Sequence, residues 1–583
     1  MFLAIWGWLL LGHSGTASII QPLPGDHIPA VKDATKWKDD RLWKFSSTQH
    51  NDAVKHWGHA LDSRLIDTCN ALEVMQNEYY ELWMGTWPAA IDWTAAVVNT
   101  MVTSTLTTFS GYLHDSRSTQ QAAVEFDAEL EDHIETYFAH IAAFYFGENA
   151  FNIRHEAYDD MLWVVIGWLE STKFINKYSQ VRKERHHAGL LWHGRQYIEA
   201  FSHRARIFYD LAAHGWDTKL CRGGMTWNPS LAPYKNAVTN QLFISASVGM
   251  YLYFSGDDNR SPFVEDNVES KGLRHDHKYL QAAIDGYSWL KDSNMTNHLG
   301  LYVDGYHIRD WSRENTTGTG QCDERNEMVY TYNQAVVLSG LRGLWEATGH
   351  VSYLEEGHRL VRNAINATGW KGSAQATRDA DDQRWKGLGR SGILEDYCDH
   401  TRHCSQDAQT FKGIFFEHLV QFCEPLPRIP LTPGKTFTAD KDLVFLHRQG
   451  CIDYGLWAEH NAQAASNTRD SRGRFAGWWG QQSHMTDIGT ERPLGSIDYR
   501  NNQSILSADS WTLSRPLFVQ GQEIRRPVDE DILSTCDFAK DRSRHRQANL
   551  DHHANLRERG RTVEMQASGL SVLRASWQLR AHT

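Results

Sequence analysis

The sequence predicts an all-α protein arranged as a double-layered (α/α) toroid, a ring of helical hairpins closed on itself. Three observations carry this expectation. Five segments share one design: a polar or Gly/Pro-bearing approach, an aromatic beside polar groups, then an apolar stretch of helical length. Helices of a more polar, amphipathic kind lie between them, and strand-like alternation is scarce. An apolar helix must be buried nearly all round, whereas an amphipathic one can face water, so the first kind forms an inner ring and the second an outer one.

Taken in order, the chain opens with MFLAIWGWLLLGHSGTASII. Phe2 to Leu11 has the length of a signal h-region and falls short of the ~20 residues that cross a bilayer. Gly15-Thr16-Ala17 supplies small residues for cleavage, so 1–18 reads as a signal peptide and 19–50 as a polar leader without a core. The toroid is expected over 51–580. Its core helices lie in WPAAIDWTAAVVNTMV, EAYDDMLWVVIGWLE, APYKNAVTNQLFISASVGMYLYF, VYTYNQAVVLSGLRGLWEATG and AQTFKGIFFEHLVQF. Amphipathic partners are AVEFDAELEDHIETYFAHIAAFYF, EAFSHRARIFYDLAAHGW, YLQAAIDGYSWLKD and YLEEGHRLVRNAIN. HNAQAASNTRDSRGRFAGWWG (460–480) and TVEMQASGLSVLRASWQL (562–579) are again toroid-like, and the polar, Arg-rich stretch 481–560 reads as a surface insertion without chemistry. The C-terminal SWQLRAHT lacks the apolar tail of a lipid-anchor signal. The expectation is a secreted or cell-wall-associated monomer with no stable membrane span and no lipid anchor.

Composition narrows the function. A net charge of −12 argues against a surface that tracks phosphates, so nucleic acid is excluded as a partner. With 23 Trp, 22 Tyr and 23 Phe, some rings are expected to line a groove, where a flat ring meets the apolar face of a sugar. Eight cysteines suit an exported protein, and CDHTRHC (398–404) is read as a local disulfide, or two bridges to elsewhere, in preference to zinc. Acceptor triplets at Asn294, Asn315, Asn366 and Asn502 fit a secretory route.

If the five apolar helices form the inner ring, their starting ends converge. The polar and aromatic groups there are Asp92 and Trp93, Tyr158 with Asp159 and Asp160, Tyr234 with Lys235 and Asn236, Tyr332 with Asn333 and Gln334, and Phe411 with Lys412. Polar residues favour helix starts on their own account, and on one helix that would suffice. Repeated on five helices, each with an aromatic neighbour, they outline the rim of a pocket.

Asp159 and Asp160 are either an N-cap with a first-turn acid, or a catalytic pair. Glycosidic cleavage needs two carboxyls about the anomeric carbon, ~5–5.5 Å apart in a retaining enzyme. Adjacent helical side chains diverge from Cα atoms ~3.8 Å apart, which suits that spacing and not a wider one. Mutual repulsion raises one pKa, so identical residues can serve as acid and anion. The metal-binding Asp pair of terpene-forming helical enzymes needs a third carboxylate where this chain has Trp163. His155-Glu156 lacks the second histidine of a zinc motif, since position 159 is Asp. Asp257-Asp258-Asn259 and Asp381-Asp382 stand in loop-like contexts and are read as solvated.

The segment YDDMLWVVIGWLE strongly resembles the signature of glycoside hydrolase family 76, the α-1,6-mannanases, and WPAAIDWTAAVVNT resembles its secreted fungal branch. CRGGMTWNPS, YKNAVTNQLF, TYNQAVVLSGLRGLWEATG, DAQTFKGIFFEHL and TVEMQASGL follow in the family's order. The resemblance implies an (α/α)6 barrel of six hairpins that uses no metal or cofactor and hydrolyses α-1,6-linked mannan internally with retention. It implies Asp159 as nucleophile and Asp160 as acid/base. Gly223, Gly224, Trp227, Tyr234, Lys235, Asn236, Tyr332, Asn333, Gln334 and Lys412 are implied to line sugar subsites. Two alternatives remain open: a wall transglycosylase acting on α-1,6-mannosyl glycans, and a non-catalytic carbohydrate-binding wall protein.

Overall fold

The fold is seen in a computed structural model, which describes residues 62–116, 121–148, 157–186, 192–259, 272–372, 384–401, 403–480, 492–501 and 561–581. The expected signal peptide and leader lie outside these residues, as do His155-Glu156, Asp381-Asp382, Asn502, Cys536 and most of 481–560.

Twelve α-helices are described, and they alternate between two layers. The odd-numbered ones are α1 (Ser63–Tyr79), α3 (Gln121–Gly147), α5 (Ile198–Ala213), α7 (His277–Asp292), α9 (Ser352–Ala367) and α11 (Lys441–Ser466). The even-numbered ones are α2 (Asp92–Asp115), α4 (Tyr158–His186), α6 (Ala237–Tyr253), α8 (Val336–Thr348), α10 (Phe411–Phe422) and α12 (Val563–Ala581). Each even helix packs on the next, and α12 packs back on α2, which closes an inner ring of six. The odd helices lie outside: α3 on α2, α5 on α4, α7 on α6, α9 on α8, and both α1 and α11 on α12. This is the (α/α)6 barrel. All five segments predicted as core helices are in the inner ring, and the terminal TVEMQASGL segment supplies the sixth.

Burial follows the sequence pattern. Every residue of α6 from Ala237 to Leu252 is buried, so it presents no polar face. By contrast α9 buries Leu354, Gly357, Leu360, Val361, Ala364, Ile365 and Ala367, a stripe at helical spacing, and exposes Glu355, Arg359, Arg362 and Asn366 on the opposite side. Helix starts carry the expected caps: Asn236 accepts from the Thr239 amide, Asp276 from Lys278 and Asp440 from Leu443. Inner helices approach closely where side chains are smallest. A Cβ on Gly413 of α10 would lie 2.7 Å from the Ser568 Cα of α12.

Strands are few and short, and they sit at the starting ends of the inner helices. β1 (Tyr234–Asn236), β2 (Gly305–His307) and β3 (Glu324–Asn326) form an antiparallel sheet in that order, pairing Lys235 with Tyr306 and Tyr306 with Arg325. A second pair, β4 (Gly389–Arg390) and β5 (Ile393–Leu394), leads into the approach to α10. Disulfides join Cys221 to Cys322, Cys398 to Cys404 and Cys423 to Cys451, so CDHTRHC is the local bridge; Cys69 is buried and unbridged.

Candidate active site

Asp159 and Asp160 stand in the first turn of α4, at the mouth of the ring. The start of that helix is tied to the loop before β1. Tyr158 donates its amide to the Trp227 carbonyl (2.8 Å), and Trp227 donates its own to Tyr234 (2.8 Å). Asp160 reaches back to accept the Ala157 amide through Oδ2 (3.3 Å), a capping contact. Asp159 accepts the Asp160 amide at Oδ1 (3.1 Å) and is only 3% exposed.

Burial raises the Asp159 carboxyl from its ordinary 3.8 to about 6. The Arg500 guanidinium opposes that rise, with Nη2 3.5 Å from Oδ2, and so do the amides of Asp159 and Asp160 and a hydrogen bond from the Trp227 indole. A carboxyl so placed is an anion near neutral pH yet is poorly solvated, a state suited to nucleophilic attack.

Arg500 is the hub of the site. Its guanidinium lies 4.8 Å from the Trp227 ring centre, acts electrostatically on the Tyr332 hydroxyl and feels the charge of Asp304. Asp304, just before β2, is fully buried and accepts from Tyr234 (2.6 Å) and from the amides of Asn326 and Asn333 (3.4 Å each). Burial pushes its carboxyl up, and Arg500 pulls it down. Asp498, two residues before Arg500, accepts from Tyr330 (2.6 Å) and Asn501 (2.9 Å) and so pins this segment to the approach of α8. Tyr332 itself stacks flat on Phe411 of α10, ring centres 4.0 Å apart. The preceding Thr331 is fixed through its amide and hydroxyl to Asp396, whose carboxyl burial raises to about 7.

The structure therefore brings Asp159, Asp160, Trp227 and Tyr332 together, while Tyr234 and Asn333 hydrogen bond the Asp304 carboxylate. Other predicted residues have their polar groups on the protein. Lys235 is fully buried, donates to the carbonyls of Gly224 (2.6 Å) and Asp217 (3.3 Å), and is lowered by burial to about 8. It thereby holds the Gly223-Gly224 turn. Both glycines have positive φ (137° and 84°), and a Cβ on Gly224 would meet the Trp289 ring at 2.5 Å. Asn236 caps α6, while Gln334 bonds the carbonyls of Tyr302 and Tyr330. Lys412 is buried against Asp399 (2.6 and 2.8 Å). Trp93 donates to Asp407 (2.8 Å) and stacks on Trp163; the side chain of Asp92 lies outside the described ones.

Two expectations need correction. Residues 492–501, within the stretch read as an insertion without chemistry, carry Arg500 and Asp498 to the site. Asp257, read as solvated, is 4% exposed at its side chain and bonds His203 (2.8 Å) and Arg206 (2.5 Å). Among the described residues, a metal-type grouping occurs at His358, His447 and Cys451, away from Asp159. Cys451 is bridged to Cys423 there, and the histidines hydrogen bond each other at 2.9 Å, so the ligand atoms are already committed.

A family model described as glycosyl hydrolase family 76 matches residues 198–440, a span that begins after Asp160 and ends before Arg500. The chain is 26% identical over 209 residues to the mannan endo-1,6-alpha-mannosidase DFG5 of Saccharomyces cerevisiae, covering 34% of each chain. It is 24% identical over 226 residues to the mannan endo-1,6-alpha-mannosidase DCW1 of Candida glabrata, covering 38% of this chain and 39% of the other. Over these matches the chain spans about a third of the length of its curated relatives. Among solved structures, Dfg5 from Chaetomium thermophilum in complex with glucosamine is 12% identical with a TM-score of 0.48, over 89% of this chain and 91% of that one.

Proposed function

We propose that the chain, whose residues 198–440 match the model of glycosyl hydrolase family 76, is a retaining endo-α-1,6-mannosidase acting on mannan outside the cell. Asp159 attacks the anomeric carbon and forms a glycosyl ester while Asp160 gives its proton to the leaving oxygen. Asp160 then takes a proton from water, whose oxygen displaces Asp159 and restores both residues. A sugar hydroxyl in place of that water gives transfer instead. The observation that supports this most is the state of Asp159: buried, beside a second carboxyl, and held toward the anion by Arg500, Trp227 and two backbone amides. A lone capping aspartate has no need of a buried arginine.

Three disulfides, and the exposure of Asn294, Asn315 and Asn366, support an extracellular setting. The test is Asp159→Asn and Asp160→Asn, each incubated with linear α-1,6-mannan. Both variants are expected to keep the wild-type unfolding temperature within a few degrees and to release oligosaccharide at least about 10³-fold more slowly, the scale of losing an essential catalytic group. Undiminished release by both variants would refute the assignment. A wild-type protein that retains the polymer and releases nothing would favour the binding-protein alternative.

A further inference from the structure

Tyr332 reaches the catalytic mouth from the short 3-10 turn Tyr332–Gln334, ahead of α8. Its ring lies on that of Phe411, the first residue of α10, with centres 4.0 Å apart and planes 3° from parallel. The stack therefore joins the approach of one inner helix to the start of another. Both of its rings are held from the loop between β5 and α10, where two buried aspartates, Asp396 and Asp399, stand three residues apart.

Asp396 turns both oxygens to one residue: Oδ1 accepts the Thr331 amide (2.8 Å) and Oδ2 the Thr331 hydroxyl (2.6 Å). Thr331 is the chain neighbour of Tyr332. Asp399 mirrors this on the other side of the stack. Its two oxygens accept from the Lys412 ammonium (2.8 and 2.6 Å), and Lys412 is the chain neighbour of Phe411. The aspartates also lock each other: the Asp396 amide donates to Asp399 Oδ2 and the Asp399 amide to the Asp396 carbonyl, both at 2.9 Å. The Cys398–Cys404 bridge closes the same loop. All four gripping side chains, those of Asp396, Asp399, Thr331 and Lys412, are buried.

Burying two carboxyls is costly, and apolar side chains would hold a loop against the barrel at less cost. What the carboxyls add is direction. Two hydrogen bonds from one residue fix an angle as well as a distance, which apolar packing does not. We propose that Asp396 is a positioning residue: with Asp399 it forms a clamp across the Tyr332–Phe411 stack that sets the Tyr332 phenol beside Asp159 and Arg500. Its effect on cleavage rests on the catalytic reading of Asp159; the clamp itself does not.

The test places 3-fluorotyrosine at position 332 of the full chain, where its fluorine NMR signal reports the ring's surroundings without substrate. Asp396→Ala removes both contacts to Thr331. Asp396→Asn keeps them, its oxygen accepting the amide and its NH2 donating to the hydroxyl. The signal is expected to shift or broaden in Asp396→Ala, to move less in Thr331→Val, and to return to the wild-type position in Asp396→Asn. On an α-1,6-mannooligosaccharide, kcat/KM is expected to fall at least about tenfold in Asp396→Ala and to recover most of that loss in Asp396→Asn. In a Tyr332→Ala background, Asp396→Ala should add less than about twofold, because changes that act through one residue do not sum. An unmoved signal in Asp396→Ala, an asparagine variant as disturbed as the alanine one, or a full further loss in the Tyr332→Ala background would overturn the clamp. If Asp396→Ala does not fold, Thr331→Val decides, and an unmoved signal there overturns it equally. A signal that moves as expected in a protein that cleaves no mannan would leave the clamp standing and remove the catalytic reading.

Discussion

At the scale of single residues, Arg500 decides what Asp159 is. Burial alone would keep the carboxyl protonated further up the pH scale; the guanidinium at 3.5 Å brings it down to about 6. In the proposed mechanism Asp159 attacks as an anion, so kcat/KM is expected to rise with pH through about 6. Arg500→Gln removes the lowering charge, so the acidic limb should move to higher pH and rescue in part with Arg500→Lys. A pH–rate profile checks this, and an unmoved limb in the glutamine variant would count against it. The stability sign is opposite. A carboxyl raised on folding favours the native state fully below about 4 and loses that contribution as pH climbs through about 6. The aspartate pair was legible because two acids at the head of an apolar helix are conspicuous. Arg500 and Asp304 were not: SIDYRNN and VDGYH are short, polar and aperiodic, and only the closed ring brings them beside α4.

At the scale of elements, the ring depends on how closely neighbouring inner helices can approach. Gly413→Ala would set a methyl 2.7 Å from the Ser568 Cα, where backbone must shift to admit it. Overpacking of this kind costs about 1–3 kcal/mol, so chemical denaturation should show a lowered midpoint with the slope unchanged. A midpoint equal to wild type would mean that α10 and α12 are not held at this distance. The division into inner and outer helices was readable from the sequence, because a helix like α6 with no polar face and one like α9 with a narrow apolar stripe have different burial needs. The sheet was not readable, since strands of three residues such as Tyr234–Asn236 are too short to show a period.

At the scale of the whole molecule, the disulfides brace loops around the barrel. Cys221–Cys322 closes a separation of 101 residues, and the Cys221 carbonyl accepts from the Trp289 indole beside the Gly223-Gly224 turn. Replacing both cysteines by serine should lower stability by about 2–5 kcal/mol and weaken oligosaccharide binding, because the loop that carries Trp227 loses its tether. The same change at Cys398 and Cys404, six residues apart, should cost markedly less. Thermal unfolding of the two double variants ranks them, and equal losses would contradict the bracing argument. An even cysteine count predicted bridges and CDHTRHC offered the local one; the Cys221–Cys322 and Cys423–Cys451 pairings depend on the folded ring and are contained in no local pattern.

The central claim is that adjacent carboxyls on one helix turn act on one anomeric carbon by double displacement. The most direct measurement is proton NMR of a defined α-1,6-mannooligosaccharide during its first minutes with the wild-type protein, before the free sugar equilibrates. The account predicts that the new reducing end appears first as the α-anomer. A β-anomer formed first would contradict it.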